Sequence, residues 1–273
     1  MIGLEDRTCF LFAVILYGIS AIYSVFLWRK GFRQDDRVGY LLLALAFVFH
    51  TLAMFKRGFT LSRCPVNNLY EATTFVVWTI VAAYLVIGTW PRLRFLAAFA
   101  SPALFGIGVF ALMPGLDVRG PTPEFSHGLS SLHAALILLS YGAFGLSSIA
   151  AAMYLNEEHD LKFNKSRAVL SMLPSIERLD RITTRLLSVG FILLTAGLAL
   201  SPFLMKETYG VLFQADAKIV WSAFIWLLYA GLLLTRSWFS QRGRRFAWGT
   251  VGSFSFVLLT FWGVNLLSKV HHP

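Results

Sequence analysis

The sequence predicts an all-α protein, a polytopic membrane helix bundle of about eight transmembrane helices with both termini outward. Three observations predict it. Hydrophobic residues make up 57% of the chain and charged residues 14%, whereas a soluble domain carries about 25% charged residues. Apolar stretches of about 20 residues, the length that crosses a bilayer as a helix, recur along the whole chain. The basic residues sit in short runs between those stretches rather than on one polar face. The formal charge of +10 therefore reads as membrane-flanking charge and not as a nucleic-acid surface.

In chain order the expected spans are 9–28, 38–55, 69–88, 93–113, 131–155, 183–205, 216–235 and 246–267, all within a single transmembrane domain covering 1–273. The first stretch lacks a small-residue cleavage site and is long enough to span, so it is expected to be a helix and not a removed signal. Segment 114–130 holds Pro114, Gly115, Gly120, Pro121 and Pro123 and reads as a loop. Between the fifth and sixth spans, residues 160–182 alternate charge with Leu161, Phe163, Val169, Leu170, Met172, Leu173, Ile176 and Leu179, which predicts a cytoplasmic amphipathic segment on the membrane surface.

Orientation follows from the basic residues of alternate connections. Of the 24 Lys and Arg, 16 fall on one side and 8 on the other. The richer side, with Arg29, Lys30, Arg178, Arg236 and Arg244, is assigned to the cytoplasm. Both termini then face outward, and the expected location is a bacterial inner (cytoplasmic) membrane.

Six histidines are distributed unevenly by this topology. His127 and His133 fall at the outer end of the fifth span, His271 and His272 follow the eighth on the same side, and only His159 lies on the cytoplasmic side, in a charged run. His133 with His271 or His272 is a candidate pair of axial haem-iron ligands, since iron accepts neutral imidazole nitrogen; the alternative is that the last two are a tail. His50 lies inside the second span. Intramembrane histidines face the bundle interior and mark sites, although a structural hydrogen bond explains one equally well. Tyr209 and Phe213, in the outward loop 206–218, form either an aromatic shelf for a flat ligand or part of the interfacial belt. Glu71, opening the third span after Asn67 and Asn68, is either a carboxylate favoured by the helix dipole or an organiser of the outer site. Two cysteines, Cys9 and Cys64, form no Cys-x-x-Cys motif, so the chain carries neither a dithiol redox motif nor a covalent haem attachment.

Phe49-His-Thr-Leu-Ala, followed by Pro65-Val-Asn-Asn-Leu-Tyr-Glu71, resembles the start of the cytochrome c assembly family, the CcsA, CcmC and HemX-like haem-handling membrane proteins. Leu132-His-Ala-Ala-Leu-Ile-Leu-Leu-Ser-Tyr-Gly-Ala143 is similar to that family's helix bearing an outward haem-ligand histidine. Leu179-Asp-Arg-Ile, Gly190-Phe-Ile-Leu-Leu-Thr-Ala-Gly197 and Gly263-Val-Asn-Leu-Leu267 match it in order and spacing, from about residue 40 onward. The family's outward loop typically reads Trp-Gly-x-x-Trp-x-Trp-Asp, which falls on Tyr209 to Asp216; Gly210 and Asp216 remain, Tyr209 replaces a tryptophan, and the inner tryptophans are absent. Relatives that ligate a second, transmembrane haem carry a histidine before a Thr-Arg pair. Here the sequence is Leu234-Thr235-Arg236.

The resemblance implies a haem-binding component of cytochrome c assembly rather than a stand-alone enzyme. Haem would be held on the outer face by His133 and His271 or His272 beside Tyr209, Phe213 and Asp216, with Lys206 or Lys218 meeting a propionate, and would be presented to apocytochrome c alongside other assembly subunits. The alternative is a HemX-like accessory that regulates or stabilises a haem-biosynthesis enzyme. A small-solute transporter is the outsider.

Overall fold

The computed structural model describes residues 5–30, 36–61, 68–117, 128–162, 175–210, 217–238 and 243–267. Its long elements are eight α-helices: α1 (Asp6–Lys30), α2 (Arg37–Leu61), α3 (Leu69–Ile87), α4 (Ala97–Ala111), α5 (Gly128–Lys162), α6 (Ile176–Tyr209), α7 (Ala217–Trp238) and α8 (Arg244–Leu267). A 3-10 segment, Pro91–Leu96, leads into α4. Helices are what hydrocarbon demands of this chain, because only a helix satisfies its own backbone polar groups without water. Seven of them, α4 only together with the 3-10 residues from Leu93 onward, have the length and apolar content to cross a membrane over their described residues. The remaining one, α8, is 24 residues long, or about 36 Å at 1.5 Å per residue.

Successive helices alternate in direction. Against α1, α4 runs antiparallel, with Ser20 on Ser101 and Gly108 on Val14. Parallel to α3 runs α5, with Tyr141 beside Thr73 and Val76 and Gly145 beside Ile80. The α5–α6 pair is antiparallel, bonded from Ser147 to Thr183 near one end and from His133 to Gly197 near the other. Consequently the starts of α1, α3, α5 and α7 share one end of the bundle with the close of α2, α4, α6 and α8; we call this the Arg57 end, and the opposite one the Asp180 end.

Packing between these helices depends on small residues that let backbones approach. At Gly142 an added Cβ would lie 2.7 Å from the Thr79 side chain and 2.8 Å from its backbone carbon. The core is aromatic as well as aliphatic: Phe144 stacks on Tyr229 with ring planes 5° apart, and both are fully buried. Leu11, Ile22, Leu41, Phe59, Ile192 and Leu259 are exposed, as lipid-facing positions of a membrane bundle are.

The segment 160–182 is divided in the structure. Residues 160–162 close α5 and residues 176–182 open α6, while 163–174 lie outside the described residues. No Gly or Pro stands between Ile176 and Ser188, so nothing in the sequence stops the helix before the span begins. Leu179 is fully buried, so this part of the expected surface segment is packed into the bundle. Within α6, Pro202 has no N–H to give to the turn before it. The helix closes on Gly210 in the left-handed conformation, φ 70°.

Candidate functional site

At the Arg57 end, Arg57 gathers three carboxylates from three other parts of the chain. Its Nε donates to Glu71 Oε1 at 2.9 Å, one terminal nitrogen donates to Asp6 at 3.0 Å, and the other donates to Asp117 at 2.5 Å. A planar guanidinium with five donors in a fixed fork is suited to this role. Asn68 adds two bonds: its Oδ1 caps α3 by accepting from the Glu71 backbone N–H, and its Nδ2 donates to Asp117 at 2.9 Å. Arg7 donates to the Leu112 carbonyl at 2.8 Å and pairs with Asp117 at 3.5 Å. Both guanidiniums lie over the Tyr70 ring, at 5.3 Å for Arg7 and 5.0 Å for Arg57. Partial burial pushes the Asp117 carboxyl up, but the hydrogen bond and charge of Arg57, with Asn68 and Arg7, outweigh it and hold the group below its ordinary 3.8.

About two turns further into the bundle along α2, His50 is fully buried. Its Nδ1 lies 3.0 Å from the Tyr17 hydroxyl, itself fully buried, and Phe10 packs on the imidazole at 4.8 Å. This one contact fixes the tautomer. If Nδ1 carried the proton, the Tyr17 O–H would have no described acceptor, and an unsatisfied buried donor costs about 1–3 kcal/mol. Tyr17 therefore donates to Nδ1, and the ring proton sits on Nε2. Nε2 meets no partner at hydrogen-bond geometry among the described residues. His50 lines a cavity of about 10 Å³ together with Phe10, Ala53, Arg57, Tyr70, Glu71 and Thr74, among others.

His133, half-buried near the start of α5, places Nδ1 2.8 Å from the Gly197 carbonyl of α6. A carbonyl only accepts, so Nδ1 bears the proton and Nε2 keeps its lone pair. The close approach depends on Gly197, where an added Cβ would stand 2.8 Å from Ile137.

Of the other sequence candidates, Phe213, Asp216, His271 and His272 lie outside the described residues, and so does the Tyr209 side chain, whose backbone ends α6. Glu71 and His50 line one cavity. His133 shares the Arg57 end with them but forms a separate locus. Sequence reasoning missed Arg57, which read as loop charge. Its signal was position, since it falls within the apolar span Arg37–Thr60, where an arginine needs a partner.

At the Asp180 end, Arg236 of α7 grips Asp180 of α6 with two bonds, 2.9 and 2.6 Å, and its guanidinium lies 4.5 Å over the Phe246 ring of α8. Gly243, at φ 76°, opens α8 beside the Tyr154 hydroxyl. Leu234 stands two residues before Arg236 on the same helix, where second-haem relatives carry histidine.

The family model described as "Cytochrome C assembly protein" matches residues 66–272. The chain belongs to the cytochrome c assembly protein family. Among its curated relatives is the cytochrome c biogenesis protein CcsA of Synechococcus sp. (strain RCC307), 29% identical over 259 residues, which cover 86% of this chain and 83% of that one. The protein of the same name from Parasynechococcus marenigrum (strain WH8102) is 30% identical over 266 residues, 88% and 87% of the two chains. That from Prochlorococcus marinus (strain NATL2A) is 26% identical over 293 residues, 96% and 92% of the two. These relatives lend nothing to the HemX-like accessory reading, which is set aside. The family is related to haem in general, and one residue of this chain has the hydrogen bonding that would suit a ligand. A ligating imidazole gives its second N–H to a carbonyl or carboxylate, and His133 does so at Gly197.

Proposed function

We propose that this member of the cytochrome c assembly family holds haem at the outer face of a bacterial inner membrane and presents it to apocytochrome c. The observation that carries the reading is His133, whose Nδ1–H is committed to the Gly197 carbonyl and whose Nε2 lone pair is thereby available at the Arg57 end. His271 or His272 would supply a second ligand, and Tyr209, Phe213 and Asp216 would help hold the group. Lys206, which is exposed, or Lys218 would meet a propionate as a point charge. Bound haem supplies the vinyl groups that react with substrate thiols; the protein's part is to fix ligand and orientation. Within that part, the bond between α5 and α6 would orient the His133 imidazole. Other assembly subunits are the expected partners at the outer surface.

The test is haem retention by purified protein supplied with haem in detergent. Wild type should show a Soret band of a histidine-ligated haem, and His133→Ala should lose most of it while keeping wild-type helix content. An unchanged Soret band in His133→Ala would overturn the reading.

A further inference from the structure

The His50 cavity is lined by both polar and apolar residues, and its volume decides what fits. At about 10 Å³ it has room for about one water molecule, which requires 2–4 polar partners. Two line it: the buried His50 Nε2, which meets no acceptor at hydrogen-bond geometry among the described residues, and the Glu71 carboxylate, whose two oxygens offer about four lone-pair sites in all. Phe10 and Ala53 add apolar lining. A cation there would meet Arg57, and an anion would meet Glu71, so a small neutral group that both donates and accepts is the occupant the charges allow.

We propose that this cavity binds a single water, which accepts from His50 Nε2–H and donates to the Glu71 carboxylate. Tyr17, His50, the water and Glu71 then form a directed hydrogen-bonded relay from the interior of α1–α2 to the Arg57 end. Each donor in it points the same way: the Tyr17 hydroxyl to Nδ1, Nε2–H to the water, and the water to the carboxylate. Beyond Glu71 the charged groups are Arg57, Asp6, Asp117 and Arg7, two guanidiniums and two carboxylates. Both ring nitrogens of His50 are used in this arrangement, so the imidazole keeps no lone pair for iron. The relay is independent of whether haem binds at His133.

Full-length protein carrying ¹⁵N-histidine, reconstituted in lipid and studied by solid-state NMR, tests it. The His50 resonances are identified by their loss in His50→Gln or, should that variant not fold, by their displacement in Tyr17→Phe, which keeps the ring volume. The expected result is a neutral imidazole protonated on Nε2, with magnetisation passing from water to that proton, and a partial move of the proton to Nδ1 in Tyr17→Phe. A wild-type ring protonated on Nδ1, a doubly protonated ring, or an Nε2–H that receives nothing from water would overturn the proposal.

Discussion

Arg57 Nε donates to Glu71 Oε1 at 2.9 Å across the α2–α3 junction, with 10% of the arginine side chain and none of the glutamate side chain exposed. Removing one member of a buried pair leaves an uncompensated charge, a loss of about 3–5 kcal/mol. Arg57→Met, which takes the shared guanidinium from Glu71, Asp6 and Asp117 at once, should sit at the upper end of that range. Glu71→Gln, which leaves Arg57 two carboxylates, should sit at the lower end. Unfolding of each variant in detergent, followed by helix circular dichroism, reads the order. Equal losses would show that Glu71 alone holds the arginine.

The same cluster gives a pH dependence. The folded Asp117 carboxyl lies below its ordinary 3.8, so its contribution to stability is fully present above the ordinary carboxylate range and is lost as pH falls through 3.8 toward the depressed folded value. The melting temperature should therefore drop on acidification through that window. In Asp117→Asn the drop should be smaller and the neutral-pH melting temperature lower than in wild type.

Gly197→Ala tests the imidazole orientation without touching a ligand. The new methyl would meet Ile137 at 2.8 Å, pushing α6 from α5 and stretching the bond from His133. Haem retention should fall several-fold while His133 itself remains, a loss distinct from the near-complete one expected of His133→Ala. Titration of each variant with haem separates the two.

With eight alternating helices and the 16-to-8 basic bias, the Arg57 end should face outward. A reporter fused after Pro273 that is active only outside the cytoplasm should be active, and one inserted within 239–242 should be silent. The reverse pattern would invert the bundle.

Hydropathy alone made the spans legible, because a residue in hydrocarbon has few alternatives to a helix. The inward direction of His50 followed from the cost of an imidazole in lipid. What stayed hidden depends on tertiary register. Arg57 lies 51 residues from Asp6 and 60 from Asp117, and no local pattern announces that four helix ends converge. Asn68 caps α3 through the Glu71 backbone N–H, while the arginine that fixes the Glu71 carboxylate lies on α2. Likewise the run from Ile176 to Leu179 has the charge alternation of a surface helix, and only packing against the bundle distinguishes it from one. His133 was legible as a residue, whereas its acceptor, a backbone carbonyl 64 positions away, carries no side-chain signature.

That acceptor belongs to a helix with a weak point. Pro202 interrupts the hydrogen-bond ladder of α6 between Gly197 and the left-handed Gly210 where the outward loop departs. The loop, the proline and the imidazole are thus mechanically in series, over about 20 Å of helix at 1.5 Å per residue. A force applied to α6 beyond Pro202 would bend the helix at the proline, and the strain would reach the His133–Gly197 bond as a tug on a single contact.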